Sequence, residues 1–416
     1  MRGIQGWLFA ALGVNSKASL RAGAALGIAV LVRSSSEARA FELLDSISEH
    51  DFLSQHEESD TEGRMKSVSE VCAQVPLLRL TRYLPTLLSC AVNASVAPQE
   101  TQREAAAAAA DSLAKKLATI CFDHLSQGVI EGAENACVPL EESIDAIQMG
   151  FVLASQRSRG GWRVRLACLR VLRKMLSTFE KALLDATGPI RMQSAKSTSA
   201  DDWSLGGGTL ERLPLSCGRA TSLLAQVFFC RQDPAGDLQE EAQRVWRLAV
   251  HHPPRATRMI LPDLLRLVVD SYRPLNSNSS KAEIPDASDG KEEHEAKGGS
   301  KAAGVWPPAQ SSVSQEKWRE NERQRGELCM EYLSQRFAGY DGANALKYVI
   351  PRLVSASCAS YTEYGEDDTE SGEEEWIGQA ARLAALKALA DASSPAQLDA
   401  YVSVVCWVKF DLWVPL

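Results

Sequence analysis

Six histidines and ten cysteines are the residues of this 416-residue chain best suited to ligate a metal or attack a substrate. Their spacing points away from both. Cys72, Cys90, Cys121, Cys137, Cys168, Cys217, Cys230, Cys329, Cys358 and Cys406 form no CxxC pair and share no metal-ligand spacing with histidine. Most stand in apolar helical text, as Cys168 and Cys406 do. That reads as free, buried thiols in a reducing compartment, the cytoplasm or the nucleus. His251-His252 is the only adjacent histidine pair, and it ends a helical stretch where a cation suits the last carbonyls. Ser216-Cys217-Gly218 has the look of a nucleophile turn, yet no histidine lies near it in sequence. Gly206-Gly207-Gly208 is followed by Thr209-Leu210-Glu211, not by the Gly-Lys-Ser/Thr that a phosphate loop needs. No HExxH, GxSxG or kinase-type motif occurs. The expectation is a chain that is not an enzyme and carries no cofactor and no metal.

The remaining chemistry is that of recognition. Nine tryptophans include Trp162, Trp246, Trp318 and Trp376 near helix starts or middles, and Trp246 is the expected protein-binding anchor. Segment 363–375 carries Glu363, Glu366, Asp367, Asp368, Glu370, Glu373, Glu374 and Glu375 with no basic residue among them. Like charges should hold it as an extended, solvated loop, with Glu373, Glu374 and Glu375 offered to a basic partner and Thr369 or Ser371 open to phosphorylation. The basic run Arg157, Arg159, Arg163, Arg165, Arg170, Arg173 and Lys174 spreads over several helical faces and reads as a solvated rim. With a net charge of -8 the chain lacks the cationic surplus of a phosphate-binding surface, so no nucleic-acid partner is expected.

Helices must position these groups. Hydrophobic residues make up 45% of the chain and aromatics only 6%, with alanine and leucine, both strong helix formers, dominant. One signature recurs: Leu20-Arg21-Ala22, Val164-Arg165-Leu166 and Ala381-Arg382-Leu383, each with an apolar residue eight places after the first, at Ile28, Leu172 and Leu389. That spacing suits the inner helix of a stacked helix pair. The expected fold is all-α, a HEAT-like α-solenoid or armadillo-like superhelix. Residues 1–186 would hold N-terminal repeats, 187–209 a linker, and 210–273 middle repeats. Residues 274–314 would be a disordered insertion, because they are too poor in apolar groups to offset chain entropy. Residues 315–416 would hold C-terminal repeats and the acidic loop. Pro85, Pro262 and Pro351 should each bend a helix. The Ala105–Ala110 run should give a narrow face that a neighbour can approach closely.

No acidic residue precedes Glu37, and Ala38-Arg39-Ala40 has the small residues of a cleavage site. A first helix pair, Ile4–Leu12 and Ser16–Arg33, and a removable organelle-targeting segment are both compatible with this. No run of about 18 apolar residues occurs, so no membrane partner is expected.

The helix pairs with mid-helix proline and inner-helix arginine resemble HEAT repeats. Ser19–Arg33, the helix pair ending in Tyr83-Leu-Pro-Thr-Leu-Leu88, and Val245-Trp246 ahead of Leu261-Pro262-Asp-Leu-Leu265 resemble parts of the large proteasome adaptor-scaffold family. That resemblance implies a non-enzymatic scaffold with protein partners, proteasome subunits among them, and a chain that matches only a portion of those longer proteins. Tubulin-folding cofactors and dynein assembly factors use similar repeats.

Overall fold

The computed structural model describes residues 2–13, 16–48, 61–127, 134–156, 161–191, 208–272, 312–335, 349–350 and 371–392. Among these the chain is all-α and no strand occurs. The helices are α1 Arg2–Ala11, α2 Ala18–Ser34, α3 Glu37–Ser48, α4 Thr61–Gln74, α5 Leu77–Leu80, α6 Leu84–Ala94 and α7 Glu100–Gln127. They continue as α8 Glu134–Gln156, α9 Gly161–Arg191, α10 Cys217–Cys230, α11 Gly236–Ala249, α12 Pro253–Tyr272, α13 Ser312–Gln335 and α14 Ser371–Ala392. Short 3-10 turns occupy Thr81–Tyr83 and Thr209–Arg212.

The helices form two rows. In one, α2 packs on α4, α4 on α7, α7 on α9 and α9 on α11. In the other, α3 packs on α6, α6 on α8, α8 on α10 and α10 on α12, while α13 and α14 lie against α12 and each other. Consecutive helices such as α2 and α3, α6 and α7, or α8 and α9 bridge the rows. The core runs between the rows as one continuous cluster from Leu8 to Leu389.

Local chemistry sets the helix limits. Ser216 caps α10, its hydroxyl accepting from the Arg219 amide at 3.4 Å, so the Ser-Cys-Gly sequence is a helix start. In the first row, basic side chains from later helices close the C-termini. Arg79 donates to the carbonyls of Val32, Arg33 and Ser35 at the end of α2, at 3.0–3.1 Å. Lys116 of α7 donates to the Val75 carbonyl just beyond α4 at 3.2 Å. Both supply donors and positive charge where helix carbonyls lack partners. The alanine run does let neighbours approach: Ala105, Ala106, Ala109 and Ala110 are buried in α7, which packs on both α4 and α9.

Several expectations need correction. Pro85 does not bend a helix. It opens α6, where its missing N–H costs nothing. Pro262 does lie inside α12, and Pro351 lies outside the described residues. Glu373, Glu374 and Glu375 are not in a loop. Helix α14 begins at Ser371, so the three form its opening turn, where the helix dipole favours negative charge. The rest of the acidic segment, 363–370, lies outside the described residues, as do 192–207 of the expected linker and 274–311 of the expected insertion. The insertion's last residues, Ser312 to Ser314, already belong to α13.

Candidate functional site

Helices α7 and α9 leave an open groove between them, with a volume of ≈ 270 Å³. Its floor is alanine, from Ala91 of α6, Ala106, Ala107 and Ala110 of α7, and Ala167 of α9. Small side chains are what make a groove here, because larger ones would fill it. Trp162, in the first turn of α9, forms a wall and stays 42% exposed. The Arg163 guanidinium lies 5.2 Å from the centre of its indole. Arg103, Arg163 and Arg170 stand on the rim against Asp111 and Asp237, leaving it one positive charge in a chain that is acidic as a whole. Arg103 is held in place by donating to the carbonyls of Ala97 and Pro98 at 3.0 and 2.6 Å.

One member of the basic run departs from the expected solvated rim, while Arg157 and Arg159 lie outside the described residues. Arg165 is buried and reaches Glu322 at 2.8 Å and Asp233 at 3.3 Å. Arg325 completes a quartet, paired with Glu322 and lying 3.4 Å from Asp233. Asp233 also accepts from the Ala235 amide at 3.0 Å. Two cations and two anions so balance, and they join α9, the α10–α11 link and α13. The Arg325 guanidinium stacks 4.3 Å from the Phe229 ring centre. Burial pulls its pKa down, but the Glu322 and Asp233 carboxylates outweigh that and hold it above its ordinary value. Arg173 adds a pair to Glu241 of α11. In the signature repeated along the sequence, the arginine is therefore an inter-helix tie in two of three cases. Arg21 of α2 likewise reaches Glu62 of α4 at 3.0 Å.

A second cleft, of ≈ 450 Å³, lies between the α10 C-terminus, α11 and α13. Arg231 lines it and sits 4.9 Å from Phe228, 5.0 Å from Trp246 and 5.9 Å from Tyr332, measured to ring centres. Trp246 is only 3% exposed and packs edge-on against Phe228 at 5.2 Å. It is a core residue, and its assignment as a surface anchor is corrected. The exposed tryptophan of the groove is Trp162. The sequence signal that separates them is position: Trp162 stands beside Gly160-Gly161 at a helix start, whereas Trp246 lies on the inner stripe with Leu238, Ala242 and Val245.

Among the described residues no group of three His, Cys, Asp or Glu could hold a metal ion. His251 and His252 are exposed in the link between α11 and α12. Cys72, Cys90, Cys121, Cys168, Cys230 and Cys329 are buried thiols outside any disulfide, and Cys217 is exposed. Burial pushes the Cys90 thiol up to about 11 and those of Cys72, Cys230 and Cys329 to about 12. Such thiols make poor nucleophiles. No helix of the described residues is long and apolar enough to cross a membrane.

No family model matches the chain. No curated protein matches it either. Among solved structures, the crystal structure of an engineered protein aligns over 100% of this chain and 95% of its own, at 12% identity and a TM-score of 0.21. That likeness is too slight to bear on fold or function.

Proposed function

We propose that this chain is a non-enzymatic protein-binding scaffold, a HEAT-like α-solenoid whose helix pairs stack on their nearest neighbours. The two-row order of the helices supports the architecture. The observation that carries the functional reading is the α7–α9 groove, with its alanine floor, exposed Trp162 and arginine rim. An exposed aromatic beside a shallow apolar trough is the usual make-up of a binding hot spot. A peptide or helix with an apolar anchor and acidic flanks fits it. Proteasome subunits are the first candidate partners, on the sequence resemblance, and tubulin or dynein assembly clients are the next.

The test is affinity purification of the full chain with mass spectrometry, beside the variants Trp162→Ala and Ala107→Lys. Ala107 is exposed on the groove floor, so lysine there obstructs the trough without touching the core. Proteasome subunits recovered with the wild type and depleted with both variants is the expected result. Equal recovery with all three proteins would remove the groove from the function. A purified protein beginning near Phe41 would instead favour import. Cleavage at Ala38-Arg39-Ala40 would cut inside α3 and strip α2 from α4, exposing the buried face around Val68 and Val71.

A further inference from the structure

Helix α9 presents one stripe to the α7–α9 groove. Trp162 and Arg163 open it, Leu166 and Ala167 follow one turn on, and Arg170 closes it. Arg163 and Arg170 are seven residues apart, so they stand about 10.5 Å apart along the axis and within about 20° of one line. The half-buried Leu166 and Ala167 lie between them on the same face. Arg170 is exposed and Arg163 half-buried, and among the described residues neither pairs with a carboxylate. The opposite wall differs. On α7 the charges of Arg103 and Asp111 offset each other across the alanines. Asp237 stands in the first turn of α11, where the helix dipole already favours a negative charge. The unmet charge of the groove is thus the pair of arginines on α9.

We propose that the groove takes one helix of a partner protein, with acidic residues at i and i+7 bracketing an apolar residue at i+3 or i+4. This rests on the scaffold function proposed for the chain and names the kind of partner that function requires. Charge, size and spacing each select it. Two guanidiniums call for two carboxylates, while Asp111 and Asp237 would repel the continuous phosphates of a nucleic acid. The volume of ≈ 270 Å³ falls under the about 300–1,000 Å³ of pockets that enclose a small molecule, so it suits side chains inserted from a partner's surface. The alanines of the floor let that partner's backbone come close. A helix returns to one face after seven residues, at about 10.5 Å, which matches the arginine pair. An extended strand shows one face at about 6.6 Å or about 13.2 Å and misses it. The pattern reads the same in both directions, so the partner helix can lie parallel or antiparallel to α9.

A displayed library of helical peptides of about 18 residues, randomised at i, i+3, i+4 and i+7, tests the proposal against the full chain. Binders lost on both Trp162→Ala and Ala107→Lys are groove-dependent. These should carry Asp or Glu at i and i+7 and a large apolar residue between. The best such peptide, followed by fluorescence anisotropy, should lose affinity about tenfold or more on Arg163→Glu/Arg170→Glu. The same variant should bind the peptide whose two acidic residues are replaced by lysine. Arg170→Glu alone, at an exposed position, should give part of the loss with a circular-dichroism melt like that of the wild type. Proline at i+5 should abolish binding, because it breaks the peptide's helix, and affinity should fall as salt rises.

Groove-dependent binders with neutral or basic residues at i and i+7 overturn the proposal and leave the scaffold function standing. An affinity unchanged by the double arginine variant, or by the proline, does the same. No groove-dependent binder at all overturns both the proposal and the groove's place in the scaffold function.

Discussion

Replacing Arg325 with methionine should cost about 3–5 kcal/mol, and a second substitution should return part of that loss. The quartet of Arg165, Asp233, Glu322 and Arg325 is neutral, with side chains only 2–8% exposed. Methionine keeps the volume and a contact to the Phe229 ring but leaves two carboxylates facing one guanidinium. A buried charge without its partner typically costs ~3–5 kcal/mol. Removing Glu322 as well, by Arg325→Met/Glu322→Leu, leaves Arg165 paired with Asp233 at 3.3 Å and restores neutrality. The double variant should therefore be more stable than the sum of the two single variants by roughly 1–3 kcal/mol. Urea unfolding followed by circular dichroism gives the three free energies, and hydrogen exchange in α13 locates the loss. Faster exchange should appear first in Ser312–Gln335, because the quartet is the polar tie from α13 to α9. High salt should leave the coupling nearly intact, since screening acts weakly on buried pairs. Additive single effects, or an Arg325→Met protein as stable as the wild type, would refute the idea that the four charges act as a unit.

Leu172→Asp places a carboxylate on the buried face of α9, where Leu172 is nearly inaccessible, and should lower the Tm by about 10 °C or more, read by calorimetry. Gly208→Ala should cost about 1–3 kcal/mol in urea unfolding, because its new carbon would collide with the Ala249 carbonyl oxygen. Native labelling with a thiol reagent should modify Cys217 within minutes and leave Cys72, Cys90, Cys168, Cys230 and Cys329 unmodified until denaturant is added, as peptide mapping will show. Burial raises the Glu62 pKa, but hydrogen bonds and charge from Lys66 and Arg21 outweigh it and hold the carboxyl below its ordinary value. Its contribution to stability is thus present above the unfolded-state pKa and lost as pH falls through the folded one, so Glu62→Gln should flatten the acid limb of a stability-against-pH curve.

The all-α class was legible because it rests on composition and on a 3.6-residue period, both local properties. The inner faces were legible for the same reason. Ile28, Leu172 and Leu389, each eight residues into the repeated signature, are all buried. The first helix pair was placed nearly to its ends. What escaped depends on contacts between distant segments. Arg165 looks like its exposed neighbour Arg170 in sequence. Only the fold brings Glu322, 157 residues away, to within 2.8 Å of it. Trp246 was misread because tryptophan type was weighed above its place on an apolar stripe. The acidic triad was misread because charge density was weighed above the dipole of the helix that it opens. Pro85 was misread because a proline between apolar residues looks internal until the 3-10 turn before it is seen.

The buried quartet and the open groove bear on one another through α9. Trp162 and Arg165 are three residues apart, close to one turn of the same helix. The groove wall therefore moves with the helix that the quartet ties to α13 and to the α10–α11 link. Asp237, which stands on the groove rim, follows Asp233 of the quartet by four residues. Residues 273–311 separate α12 from α13 in sequence, yet α13 returns to pack on α12 and pairs its charges with α9. Ionic pairs with fixed geometry define register more sharply than apolar contacts, which tolerate sliding. The proposed binding groove, lined by α7, α9 and Asp237 of α11, gains from such a lock. A shift of α9 along its axis would carry Trp162 and Arg163 away from the alanine floor that α7 supplies. The quartet thus fixes α9, one wall of the groove, against α13 and the α10–α11 link, and its effect on stability is the means by which that tie can be measured.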